Sequence, residues 1–198
     1  MANVKVRLAT EADAKAIADI YHDYVEHTTI SFERTPPTVE EMAQRMKECC
    51  QVYPFLVCTV DERVVGYAYA IRHMERGAYD WNASISAYLD KTVQGKGVGR
   101  ALYEAVEKLL RAMGVVNLYA LVTEPNPKSR QLHVAMGYTE AGVLHKTGFK
   151  HGKWRDVLYF EKHLALHDTE HEPIRSVREL DPAFVDEVLR TAVRQVRL

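Results

Sequence analysis

Apolar and polar residues alternate from Val4 to Leu8, the period of a strand with one face in a core. After Thr10, which stands three residues before Asp13 as a helix cap with an acidic first turn, the period lengthens. Ala14, Ile17, Ala18, Tyr21, Tyr24 and Val25 share one helical face. Thr38 and Glu41 form a capping box ahead of a second helix striped by Met42, Met46 and Cys49. The loop between these helices, residues 29–37, carries Phe32 and Arg34. Two apolar runs, residues 55–60 and 64–71, flank the tight turn 61–63 and predict a hairpin. A polar loop (72–79) leads to a strand over 83–89, and a glycine-rich segment follows it directly.

Helical spacing then returns strongly, with Leu102, Val106, Leu109, Leu110 and Met113 on one face and Gly114 at the end. A strand over 115–122 follows, and Asn126-Pro127 opens a short helix that stops at Gly137. Two late strands are predicted near 140–147 and 155–162. The order is strand, two helices, hairpin, a strand–helix–strand crossover, then helix and strands. It implies an α+β fold with one parallel crossover rather than a doubly wound sheet. From about residue 165 the character changes. A polar linker (167–173) precedes a terminal helix begun by Asp181-Pro182 and striped by Phe184 or Val185, Val188, Leu189, Ala192, Val193 and Val196. Its acids, Asp186 and Glu187, come first and Arg190, Arg194 and Arg197 last, as the helix dipole favours. The stripe needs a cover, either its own domain or a second subunit.

Composition changes this picture little. With 198 residues, 47% apolar and 27% charged, the chain suits one well-buried domain. Its formal net charge of −1 provides no field for nucleic acid or an anionic membrane. The first residues do not resemble a signal peptide, and no run approaches the roughly 18 apolar residues of a membrane span. Cys49, Cys50 and Cys58 show no metal-ligand spacing, and Cys58 lies in an apolar run. A reduced, cytoplasmic setting and no bound metal are expected.

The candidate chemistry lies in Gln94, Gly95, Lys96, Gly97, Val98, Gly99 and Arg100, between a strand and a helix. Glycines there let backbone approach a ligand, and the free N–H groups of a helix start favour a phosphate. A tight turn with no ligand is the other reading. The dinucleotide pattern GxGxxG fails because Arg100 stands where its third glycine belongs, and the P-loop fails for want of a Gly-Lys-Ser/Thr ending. What remains is Gln-x-x-Gly-x-Gly followed by a basic residue.

That pattern resembles the GNAT superfamily of acetyl-CoA-dependent N-acetyltransferases. Within it the chain resembles the phosphinothricin / methionine sulfoximine N-acetyltransferase family. The matching pieces run in order through Arg7-Leu-Ala-Thr-Glu-Ala-Asp13, Tyr53-Pro-Phe-Leu-Val57, Gly66-Tyr-Ala-Tyr-Ala70 and Ala78-Tyr-Asp-Trp81. They continue through Leu132-His-Val-Ala-Met-Gly-Tyr138 and Gly148-Phe-Lys-His-Gly-Lys-Trp154. The match spans residues 4 to about 165, so an acetyltransferase domain (1–165) and a C-terminal extension with an amphipathic helix (166–198) are expected.

The resemblance implies a GNAT-type α/β/α fold, with a twisted, mostly antiparallel mixed sheet that splays at its middle strands around acetyl-CoA. It further implies that backbone of Ala87, Tyr88 and Leu89 pairs with the pantetheine arm. The amides of 95–100 would hold the pyrophosphate, and Asn126 and Ser129 would flank the thioester. Many members carry a tyrosine acid seven residues after that asparagine; here, as in the phosphinothricin branch, the position is His133. A histidine there can move a proton near neutral pH, or it can be a helix-packing residue. The family's central-strand glutamate, a proposed base, is replaced by Ser84 in Trp81-Asn-Ala-Ser84. Serine is no base at pH 7, so a water relay, His133 or another residue must take the proton.

Phe32, Arg76 and Tyr79 fall on segments that border the family's acceptor pocket. The expected activity is acetylation of a small amino acid or analogue, a small-molecule amine, by a homodimer. Catalytically weak acetyl-CoA binding or sensing, and acetylation of protein N-termini, are the alternatives.

Overall fold

A computed structural model describes residues 2–167 and 171–197. Strand β1 (Val4–Leu8) leads through a one-turn helix, Glu11–Asp13, into α1 (Ala14–His27). Asp13 ties this entry together: its carboxylate accepts from the Thr10 amide at 2.7 Å and from both terminal nitrogens of Arg7. Helix α2 (Val39–Cys49) begins at the predicted capping box, with the Glu41 amide donating to Thr38 Oγ1. β2 (Phe55–Val60), β3 (Arg63–Arg72) and β4 (Asn82–Leu89) then form an antiparallel meander. Helix α3 (Val98–Met113), β5 (Asn117–Thr123), α4 (Pro127–Ala135), β6 (Thr139–Lys150), β7 (Lys153–His163) and α5 (Pro182–Val193) complete the order.

Among the described residues the sheet has seven strands in the order β1-β2-β3-β4-β5-β7-β6. Only β4 and β5 run parallel, as the crossover through α3 requires. Two faces are covered by different helices. The Tyr88 ring packs edge-on against Tyr21 and Tyr24 of α1. Its neighbour Leu89 points the other way, against Gly99 of α3. Helix α3 lies in the middle of the core, with Val98, Leu102, Val106, Leu109 and Leu110 fully buried. Truncating any of these leucines to alanine would cost about 2–5 kcal/mol.

The late hairpin is longer than the sequence pattern suggested. The 148–154 stretch, which separates the two predicted strands, continues β6 and β7 to a turn at His151-Gly152, both with positive φ. Pairing of Gly148, Phe149 and Lys150 with Arg155, Trp154 and Lys153 extends it, and Lys150 Nζ donates to the carbonyls of Val25 and Ser31 at 2.6 and 2.7 Å. The hairpin therefore caps the end of α1 and orders the loop behind it.

The terminal helix packs on its own domain. Val185, Val188, Leu189 and Ala192 join the same core as α3 and β1. Arg175 and Val177 extend the attachment by donating their amides to the carbonyls of Met113 and Val52. The polar linker expected over 167–173 lies partly outside the described residues.

Candidate active site at the splayed strands

Parallel pairing between β4 and β5 lasts only three positions, Asn82 with Asn117, Ala83 with Leu118 and Ser84 with Tyr119. Beyond them β4 runs on to Leu89 and β5 to Thr123 without pairing to each other, so two strand edges diverge from Ser84 and Tyr119. Backbone polar groups on such edges need partners. An extended chain carrying amides, laid between them, would supply those partners. At the wide end, Leu89 already has a substitute partner: the Tyr24 hydroxyl donates to its carbonyl at 2.8 Å and accepts from its amide at 3.1 Å. Hydrogen-bonding direction alternates along a strand, so Ala87 shares that edge with Leu89. Tyr88 contributes its ring to the aromatic cluster with Tyr21, Tyr24 and Tyr67.

The glycine-rich segment follows β4 through a single helical turn, Lys91–Val93. Gly95 and Gly97 adopt positive φ (77° and 83°), which turns the chain sharply into α3. The first-turn amides of α3, on Val98, Gly99 and Arg100, have no acceptor within the helix. Here the local dipole also favours an anion. Gly99 permits the close approach of α3 to its neighbours, since a Cβ there would lie 3.3 Å from Leu89. Lys96 differs from expectation: its amide donates to the Val93 carbonyl at 3.3 Å, closing the turn. Arg100 caps α4 through the Ala135 carbonyl at 3.1 Å, and Gln94 approaches the Tyr24 hydroxyl at 3.5 Å. Gln94, Tyr24 and Leu89 also line a cavity of about 680 Å³ beside the loop. This set of αL glycines and open amides fits a pyrophosphate.

Helix α4 opens as predicted, with Asn126 Oδ1 accepting from the Ser129 amide at 3.2 Å. His133, one turn on, is only 2% exposed. Its Nδ1 meets the Ser129 carbonyl at 2.8 Å, its Nε2 meets the Tyr103 hydroxyl at 3.1 Å, and its ring stacks on Phe160. Burial lowers its pKa from the ordinary 6.5. Both nitrogens therefore meet protein, and the ring anchors α4 against α3 and β7.

On the α1 face, Ser84 has a partner the sequence did not reveal. His73, one residue past β3, places Nδ1 2.7 Å from Ser84 Oγ and stacks its ring on Tyr119 at 4.2 Å. Nothing local marks His73, because the contact joins β4, β5 and the loop after β3. Next to it, Tyr69 and Ile71 face a cavity of about 510 Å³, also lined by Tyr21, Tyr53, Arg45 and Arg72. They are the cross-strand neighbours of Ser86 and Ser84. Burial raises the Tyr21 pKa to about 12, so its hydroxyl remains a neutral donor or acceptor.

Of the expected acceptor residues, Arg76 and Tyr79 stay on the exposed loop outside this cavity's lining. Two cations line the cavity, Arg72, which pairs with Asp80, and Arg45, which pairs with Glu33. Phe32 lies across to β6, where a Cβ on Gly148 would overlap its ring. Its neighbours Ser31 and Glu33 both bond the hydroxyl of Tyr21, which lines the cavity.

Splayed strands around a phosphate-binding helix start define a class: acyltransferases that hold an acyl-CoA along the gap. Comparison with known proteins agrees. The acetyltransferase (GNAT) domain family matches residues 6–159, and the chain belongs to that family. It is 36% identical over 177 residues to a phosphinothricin N-acetyltransferase of Streptomyces viridochromogenes, covering 89% of this chain and 96% of that one. A methionine sulfoximine/methionine sulfone acetyltransferase of Salmonella typhimurium is 29% identical, with coverage of 82% and 95%. Among solved structures, a phosphinothricin acetyltransferase from Sinorhizobium meliloti in complex with acetyl-CoA superposes with a TM-score of 0.82. It is 35% identical, covering 85% of this chain and 93% of that one.

Proposed function

We propose that this protein transfers the acetyl group of acetyl-CoA to the α-amine of a small amino acid or analogue of the phosphinothricin or methionine sulfoximine type. The observation that carries this reading is the early end of β4–β5 pairing at Ser84 and Tyr119, which leaves two open strand edges, one of them on the strand that leads into the free amides of α3. Gly95, Gly97, Val98, Gly99 and Arg100 would hold the pyrophosphate, and Ala87 would meet the arm. Asn126 and Ser129 would stand by the thioester. When bound, acetyl-CoA supplies an activated acyl carbon. The chain's own residues orient the amine, exclude water and take its proton.

The acceptor would lie in the 510 Å³ cavity, with Arg72 near its carboxylate. Phe32 and the loop around it would form the wall. In this reading His133 holds α4 in place behind Asn126 and Ser129. A homodimer is supported by large apolar side chains exposed on β5, β6 and β7: Leu121 49% and Leu144 45%, with Phe149 46% and Trp154 61% nearer the hairpin turn. A reducing, cytoplasmic setting is supported by three free cysteines, two of them adjacent.

The test is competition between acceptors. Phosphinothricin and methionine sulfoximine should give a kcat/KM at least tenfold above that of a peptide with a free N-terminal alanine, because the cavity is small. Preference for the peptide would favour an N-terminal acetyltransferase. Binding of acetyl-CoA with no turnover on any amine would favour the sensing alternative, to which Ser84 lends its support.

A further inference from the structure

An α-amine is protonated near neutral pH, and acetyl transfer requires its lone pair. A proton acceptor is therefore needed within reach of the point where β4 and β5 part. Ser84 stands at that point and cannot accept a proton usefully. His133 has both nitrogens engaged and is buried. His73 differs on both counts. It is half-buried, it is held by Ser84 Oγ at 2.7 Å, and its ring lies on Tyr119, the partner of Ser84 at the last paired position. Tyr159 of β7 closes its edge at 6.3 Å.

We propose that His73, oriented by Ser84 and Tyr119, is the base that deprotonates the acceptor amine. The proposal rests on the acetyl-transfer reading above. With Nδ1–H donating to Ser84 Oγ, the lone pair is on Nε2. One ammonium proton passes to Nε2, giving a neutral amine and an imidazolium. The amine lone pair forms the N–C bond, the C–S pair goes to sulfur, and the second amine proton ends on the thiol. His73 then returns its proton to solvent.

The surroundings suit a neutral imidazole at rest. Burial lowers the His73 pKa below the ordinary 6.5. Arg72, the charged group next to it in the chain, is paired with Asp80. On β5 and β7 the facing groups are the Tyr119 and Tyr159 phenols, with Glu161 opposite Tyr119. The serine is then a positioning residue: it fixes the tautomer that the reaction needs.

His73→Gln keeps a side-chain partner for Ser84 but cannot take a proton. It should lower kcat by about 100-fold at pH 7, leave the KM for acetyl-CoA unchanged and abolish the acidic limb of the kcat/KM profile. Ser84→Ala should lower kcat less and shift that limb. A second measurement needs no turnover: an imidazole NMR titration of the wild-type protein should show His73 titrating below 6.5, and Ser84→Ala should move it. A His73→Gln enzyme within twofold of wild type with the same pH profile would overturn the proposal. So would a His73 resonance that ignores Ser84→Ala. If the wild-type enzyme acetylates no amine, the acetyl-transfer reading fails instead, and the titration still reports on His73.

Discussion

The carbonyl oxygen of Gln195 lies 2.5 Å from where a Cβ on Gly97 would sit. Two residues later the Arg197 amide donates to the Lys96 carbonyl at 2.9 Å, and Gln195 Nε2 donates to Glu104 of α3 at 2.6 Å. The C-terminal extension therefore braces the outer side of the glycine-rich loop, the proposed pyrophosphate site. Gly97 is constrained twice, by its left-handed φ of 83° and by this contact.

Gly97→Ala should consequently damage cofactor binding first. Left-handed strain on a non-glycine residue costs about 1–3 kcal/mol, and about 1.4 kcal/mol is tenfold in affinity. We expect the KM for acetyl-CoA to rise about tenfold or more while the acceptor KM holds steady. Ending the chain at Val193 should act in the same direction, by freeing the loop. Steady-state kinetics with each substrate varied in turn would show it, and a chain ending at Val193 that is unchanged in both KM values would remove the brace from the account.

Lys150 is 7% exposed and satisfies two carbonyls at the end of α1 and in the loop behind it. Lys150→Met strands both. Each unsatisfied buried acceptor costs about 1–3 kcal/mol, so urea unfolding should show a loss of about 2–6 kcal/mol. The acceptor KM should rise more than that for acetyl-CoA if, as proposed, the loop carrying Ser31, Phe32 and Glu33 forms the acceptor wall.

Burial lowers the pKa of both His73 and His133 from 6.5. The unfolded chain then binds more protons than the folded one between the folded and unfolded pKa values, and stability increases with pH across that window. The stabilising effect of keeping these rings neutral is complete above about pH 6.5. It is lost as the pH falls towards the folded values. Thermal unfolding should show the midpoint dropping between pH 7 and pH 5, with a shallower drop in His133→Gln. Equal slopes for the two proteins would show that His133 does not contribute.

Gly148→Ala places a methyl group where the Phe32 ring lies. The ring must move, and the wall of the acceptor side moves with it. Acceptor kcat/KM should fall about tenfold, whereas acetyl-CoA binding by calorimetry should be preserved. A selectivity change among amino-acid analogues would locate Phe32 at the acceptor itself.

What was legible in the sequence is what local spacing determines. The α3 stripe, the Thr38–Glu41 capping box and the Asn126 cap each depend on residues a few positions apart, and each forms as read. The parallel crossover followed from element order. The site contacts are different in kind. His73 meets Ser84 and Tyr119 only because three strands are in one register and pairing stops at one position. Lys150 reaches back 125 residues to the end of α1, and no periodicity encodes that. Arg72 rather than Arg76 faces the cavity because it ends a strand, while Arg76 stands on the exposed loop beyond. The stripe on α5 was plain from the sequence, but its cover, the core shared with α3 and β1, was not.

The central claim is that this cleft moves an acetyl group from acetyl-CoA to a small amine. Incubation with acetyl-CoA and methionine sulfoximine, with thiol release and N-acetylated product measured in the same sample, tests it most directly. The account predicts saturable formation of both in equal amounts, with the acetyl group on the α-nitrogen. Saturable acetyl-CoA binding with no acetylated amine, from this acceptor or from phosphinothricin, would contradict it.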